Sequence, residues 1–244
     1  MTMIVIPGSE ITAYRSDPPG EARGALILIH EIWGLVDHIR NVADRFAAEG
    51  YLVIAPDILS GAGVSPQVGQ ELHDLAMSTD EKKRTEAQPL MREKLAASRE
   101  PAYGARAVGQ LKSVIDYLEG QPGIEGRIGV VGFCFGGSYS FALAAAEPRI
   151  RAAVPFYGSP PAAADVAAIT CPILAFYGDQ DANLMASLPG VTEAMASAGV
   201  DFEAKVYAGA RHAFFNDTNG LTYDASAAAD SWQRALTFLG ETLL

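Results

Sequence analysis

Gly132-Phe133-Cys134-Phe135-Gly136-Gly137 follows the apolar run Ile128-Gly129-Val130-Val131 and precedes a helix-like segment, Ser138 to Glu147. A strand, a glycine-framed tight turn and a helix, in that order, lift the turn's central side chain above the carboxyl edge of a sheet. The same turn aims that side chain at a helix N-terminus, where free N–H groups and the dipole favour a thiolate. The flanking glycines suit a strained backbone and a close approach of helix to strand. Cys134 therefore has the setting of a nucleophile for acyl transfer. A thiol near its free pKa of about 8.5 is mostly protonated at neutral pH, so this chemistry also needs a base or a positive field.

His212 is the best base, because Ala208-Gly209-Ala210-Arg211-His212-Ala213-Phe214 directly follows the last predicted strand. The others are weaker: His30 ends the third strand, His38 is on a helix and His73 lies in a polar mid-chain stretch. An orienting acid should follow another late strand, and Phe176-Tyr177-Gly178-Asp179-Gln180-Asp181 offers Asp181, with Asp179 as the fallback. The order nucleophile, acid, base along the chain is that of α/β-hydrolases. In that pattern the oxyanion rests on the N–H of the residue after the nucleophile, here Phe135, and on one in a loop after an early strand. His30-Glu31-Ile32-Trp33-Gly34 fills the second place and nominates the Ile32 N–H. Glu31 falls in the same pocket mouth, where a carboxylate can hold the Cys134 thiol or take its proton. Trp33, Arg211 and Phe214 are the candidates for substrate contact, while Cys171, ahead of Pro172, reads as structural.

These side chains need a sheet whose strands end at one edge. β-rich runs at Met3–Pro7, Ile11–Arg15, Gly24–His30, Tyr51–Pro56, Arg127–Phe133, Ala152–Tyr157, Ile173–Tyr177 and Phe202–Tyr207 predict about eight strands. Helical patterns cover Val36–Glu49, Gln67–Ser78, Glu81–Ala97, Gly104–Glu119, Gly136–Ala146, Leu188–Ala198 and Tyr223–Leu243. The first two strands look antiparallel, and the later alternation implies crossovers and a mostly parallel sheet with helices on both faces. No linker divides the chain, so residues 1–244 read as one α/β domain. Residues 60–99, polar and without β-runs, form an excursion at the active edge.

The 244 residues are 49% apolar and 19% charged, which fits a soluble globular protein. A net charge of −11 without basic patches argues against a nucleic-acid partner. Neither cysteine sits in a metal-ligand spacing, and two cannot staple a scaffold. There is no signal-peptide pattern and no apolar run long enough for a membrane span. The expectation is a cytoplasmic enzyme without metal or organic cofactor. The oligomeric state is left open.

With Glu31, Cys134, Asp181 and His212 placed, the chain resembles the dienelactone hydrolase family. The shared signatures are H-E-x-x-G at 30–34, G-x-C-x-G-G at 132–137, G-x-x-D at 178–181 and H-x-F at 212–214. The resemblance implies that the cysteine attacks a lactone or ester carbonyl, that the His–Asp pair activates it and that the glutamate helps to form the thiolate. It further implies an arginine a few residues after the catalytic histidine, and another in the excursion, to bind a substrate carboxylate. The fourth position after His212 is instead Asn216, and the excursion offers Arg84, Arg92 and Arg99 in surroundings that do not match the family pattern. The reading is a cysteine-dependent hydrolase of lactones or small activated esters. Its alternatives are a thioesterase or transacylase on the same fold, and a non-catalytic binding or sensor protein.

Overall fold

In the computed structural model, which describes residues 1–243, eight strands form one sheet. They are β1 (Thr2–Val5), β2 (Thr12–Ser16), β3 (Gly24–Ile29), β4 (Tyr51–Pro56), β5 (Ile128–Phe133), β6 (Ile150–Phe156), β7 (Ile173–Gly178) and β8 (Phe202–Tyr207). Their spatial order is β1-β2-β4-β3-β5-β6-β7-β8. The β1–β2 and β2–β4 pairs are antiparallel, and every pairing from β4 through β3 to β8 is parallel. All eight expected strands are present, with no end moved by more than two residues. The physical reason is visible in β3, β4, β5 and β7, which are buried along their whole length. Continuous apolar runs of this length satisfy a sheet covered on both faces.

The covering helices are α1 (Asp37–Ala48), α4 (Pro101–Glu119), α5 (Phe135–Ala146) and α8 (Ala225–Thr242). Phe46 of α1 stacks on Trp232 of α8 at 4.3 Å, and Tyr103 of α4 meets Tyr139 of α5 edge-on at 6.3 Å. A short helix, α6 (Ala163–Val166), has no counterpart in the sequence reading. Helix α7 (Ala182–Ala198) starts six residues before the expected Leu188, because the Asp181 side chain caps it by accepting from the Leu184 N–H.

The excursion folds as α2 (Pro66–Ala76) and α3 (Glu81–Lys94), bracketed by 3-10 turns at Ser60–Ala62 and Ala97–Arg99. It docks through a small separate apolar cluster of Trp33, Val36 and Leu72. Gly69 makes that docking possible, since a Cβ there would lie 1.7 Å from the Trp33 carbonyl oxygen. We therefore expect Gly69→Ala to cost about 3 kcal/mol, or roughly 6–12 °C in Tm, through forced separation of α2 from the Trp33 loop. Gly109 in α4 has open space at its Cβ, so Gly109→Ala should instead stabilise by about 0.5–1 kcal/mol. Thermal melts of the two variants check both signs.

Candidate active site

Cys134 is the residue between β5 and α5, and its backbone is in a strained conformation at φ 55° and ψ −110°. Such a conformation costs a non-glycine residue on the order of 1–3 kcal/mol. It persists because the surroundings leave no alternative. A Cβ on Gly132 would lie 2.1 Å from the Gly136 carbonyl oxygen, and one on Gly136 would lie 2.1 Å from that of Ile29. The glycines thus permit close packing of α5 on β5 and β3, while the strain itself falls on the cysteine. The Cys134 N–H is tied to the Phe156 carbonyl at 3.0 Å, which locks the turn to β6.

The thiol sits between opposing influences. Burial first, and then the Glu31 carboxylate, push it up to about 12. The backbone N–H groups of Phe135 and Ile32 lie against the sulfur and oppose that rise. The sequence-based expectation of a thiolate favoured by the helix N-terminus is therefore corrected: desolvation and a neighbouring negative charge outweigh the N–H groups. As a residue Cys134 remains partly exposed, so a reactant can approach it.

The Ile32 N–H is aimed by a residue that sequence reasoning passed over. His30 is fully buried, and burial lowers its pKa and keeps it neutral. Its Nε2 accepts from the Ile58 N–H at 3.3 Å, so the proton is on Nδ1, which donates to the Glu31 carbonyl at 2.7 Å. That carbonyl belongs to the same planar peptide as the Ile32 N–H. Fixing one end of the peptide fixes the direction of the other.

The Glu31 side chain is only 1% exposed, and burial raises it from 4.5 to about 7 against the pull of two hydrogen bonds. The stronger bond comes from the Asn216 amide, whose Nδ2 donates to Oε2 at 2.7 Å. The weaker comes from the Tyr157 hydroxyl at 3.5 Å. Tyr157 directly follows β6 with a positive φ of 39°, which turns its buried ring toward Glu31. Neither partner carries a sequence signature. Asn216 occupies the position where the family resemblance implied an arginine, and it is 1% exposed and bound to the protein's own carboxylate.

Asp181 and His212 are joined: His212 Nδ1 lies 2.5 Å from Asp181 Oδ2. One carboxylate thus caps α7 through Oδ1 and holds the imidazole through Oδ2. The His212 side chain is 43% exposed, and its ring lies 5.0 Å from that of Tyr157. No hydrogen bond joins His212 to Cys134 among the described residues. The fallback acid, Asp179, is turned the other way and accepts from the Gly209 N–H at 2.8 Å.

The loop after β8 does the assembling. Ala213 has a φ of 63°, which separates the direction of His212 from that of Phe214. Phe214 then packs on Tyr157 and Tyr207, and Phe215 stacks 5.1 Å from both Phe133 and Phe156. These contacts draw the loop back across β6 and β5 until Asn216 reaches Glu31.

This packing places two of the expected substrate contacts in the interior. Phe214 is fully buried between Tyr157 and Tyr207, and Trp33 is buried with Val36 and Leu72 beneath the excursion. Both are large aromatic side chains whose burial drives loop docking. Arg211 is exposed beside the histidine. In the excursion, Arg84 donates to the Ser78 carbonyl, and Arg92 and Arg99 are exposed. Among the described residues no group of three or more His, Cys, Asp or Glu side chains could hold a metal ion. No helix among them is long and apolar enough to cross a membrane.

Comparison with known proteins bears on this geometry. The family model described as the dienelactone hydrolase family matches residues 11–243. A Saccharolobus solfataricus protein provisionally named carboxymethylenebutenolidase is 32% identical over 95% of this chain and 94% of its own. An Escherichia coli K12 protein of the same provisional name is 31% identical over 96% of this chain and 84% of its own. The crystal structure of a provisionally named dienelactone hydrolase from Klebsiella pneumoniae superposes with a TM-score of 0.82 at 28% identity, covering 98% of both chains. A family model over residues 11–243, a 32% identical relative and full-length structural similarity converge: the chain belongs to the dienelactone hydrolase family and is a carboxylic-ester hydrolase.

Proposed function

We propose that the protein hydrolyses lactones or small activated esters through an acyl-cysteine intermediate on Cys134. The observation that carries this reading is the placement of the Cys134 sulfur against the Phe135 and Ile32 N–H groups, with the Glu31 carboxylate as the charge that acts on it most. Glu31, poised at about 7, takes the thiol proton as substrate enters. The thiolate adds to the carbonyl, and the two N–H groups receive the oxyanion. Collapse breaks the ring C–O bond and leaves a thioester with the enolate or alkoxide still tethered. Water then adds to the thioester, its proton passing to the tethered oxygen or to His212, which Asp181 orients. Expulsion of the thiolate releases the acid, and Glu31 returns the proton to sulfur.

Thiolates are better leaving groups than alkoxides, so simple alkyl esters return to reactant when attacked by Cys134. Enol-lactones avoid this, because an enolate leaves readily. Asn216 sharpens the substrate class: a neutral amide engaged by Glu31 offers no cation to a substrate carboxylate. A neutral substrate suits this mouth better than an anionic one.

Turnover of an enol-lactone should fall about 10³-fold or more in Cys134→Ala and in His212→Ala, and roughly 10- to 100-fold in Asp181→Asn. Steady-state kinetics with wild-type rates in Cys134→Ala would remove the acyl-cysteine step. The methyl ester of a carboxylate-bearing lactone should show kcat/KM roughly tenfold above that of the free acid, since Glu31 repels a second carboxylate. Equal values would mean that no charge selection occurs.

Glu31 also links chemistry to stability. A carboxyl raised from 4.5 to about 7 contributes its full stability below pH 4.5 and loses it as pH rises through 7. At pH 8 the buried charge costs on the order of 3 kcal/mol at most. Glu31→Gln should therefore raise Tm at pH 8, leave it nearly unchanged at pH 4, and lower turnover about 100-fold. Melts at the two pH values, with activity beside them, check all three.

A further inference from the structure

The hydrogen bonds around Asn216 have only one consistent direction. Its Oδ1 lies 3.0 Å from the Thr218 backbone N–H, which can only donate, so Nδ2 is the atom facing Glu31. Thr218 Oγ1 lies 2.6 Å from the same Oδ1. A contact that short between a hydroxyl and a carbonyl oxygen needs the hydroxyl hydrogen between them, and Thr218 has one. Its remaining partner, His73 Nε2 at 3.2 Å, must then be an N–H donor. Beyond it, His73 Nδ1 lies 3.2 Å from Asp74 Oδ1, and the same oxygen accepts from Gln70 Nε2 at 2.8 Å. The chain runs from a buried imidazole on α2, through Thr218 and Asn216, to the carboxylate beside Cys134.

We propose that His73 and Thr218 are positioning residues, which lock the Asn216 amide so that its N–H is aimed at Glu31. The proposal rests on the reading of Glu31 as the acceptor of the Cys134 proton. Its physical content is directional. An amide with a free carbonyl end can rotate or flip, and in either case Glu31 loses its closest donor. Two donors on Oδ1 prevent both. The excursion thereby acts on the reacting pair from a distance, because His73 belongs to α2 and none of the chain's outer members touches the sulfur.

Alkylation of Cys134 by iodoacetamide across a pH series, followed by mass spectrometry on the Cys134 peptide, reads this coupling without requiring turnover. Thiolate first appears when the Glu31–Cys134 pair loses its first proton, so the lower limb of the profile tracks Glu31. Asn216 favours the charged form of Glu31, hence loosening it moves that limb to higher pH. Thr218→Val should shift the limb upward by about half to one pH unit, and Thr218→Ser, which keeps the hydroxyl, should restore it. His73→Leu should shift it in the same direction, with His73→Gln, which retains an N–H donor, close to wild type. The His73 pair carries the test if Thr218→Val does not fold. A Thr218→Val limb coincident with wild type, or identical limbs for Thr218→Val and Thr218→Ser, overturns the proposal; an unmoved limb in His73→Leu removes His73 from it. Failure of the nucleophile reading shows itself separately, as retained turnover in Cys134→Ala.

Discussion

The geometry of the site depends on one forced turn. Cys134 is held at φ 55° because β5, α5 and β3 approach so closely that Gly132 and Gly136 leave no room for a Cβ. Relaxing the cysteine would require the helix to lift from the sheet, and that would expose the core between them. A strain of a few kcal/mol is held in place by burial worth much more. The result is a sulfur whose position is decided by the packing of the whole sheet rather than by its own rotamer. The same turn brings the Phe135 N–H to the sulfur, so on the proposed reading the nucleophile and one oxyanion donor come from a single constraint.

Electrostatics then decide what the sulfur is at rest. Two backbone N–H groups favour an anion, and burial together with the Glu31 charge disfavours it; the second pair wins, with the thiol near 12. A free-standing thiolate would react with any passing electrophile or oxidant. At rest the thiol is quiet, and on the proposed reading Glu31, near 7 and so partly ionised at neutral pH, is the acceptor for its proton. The donors on Glu31 matter for this reason. Without Asn216, burial alone would hold the carboxyl still more firmly protonated, and an already protonated carboxyl can take no proton.

Much of this was legible in the chain. Continuous apolar runs such as Ala25–Ile29 gave β3 through burial on both faces, and the glycine pattern around Cys134 gave the turn. Asp181 and His212 were legible because each follows a strand end, and strand ends of a parallel sheet share one edge. What was not legible depended on side-chain packing at long range. Asn216 lies 185 residues from Glu31, and the packing of Phe215 against both Phe133 and Phe156 helps bring them together. Trp33 and Phe214 read as pocket walls because aromatic side chains near a catalytic turn have two uses, and the sequence does not say which face of the loop each takes. Asp181 presented the reverse case. Helix capping and histidine orientation were competing readings, yet the two oxygens of one carboxylate perform both.

The loop after β8 shows why such a site tolerates little displacement. It carries His212 on one side of the positive-φ Ala213 and the buried pair Phe214 and Phe215 on the other. His212 and the Glu31 donor Asn216 are therefore mounted on one short segment, anchored by aromatic contacts at its centre. A shift of that anchor would move His212 relative to Cys134 and Asn216 relative to Glu31 together, so the two side chains cannot be repositioned separately through this loop. The side that can be tuned is the one reached from α2, where His73 and Thr218 meet the loop at its far end. Helix α2 is docked by a small cluster of its own around Trp33, apart from the turn that holds the sulfur.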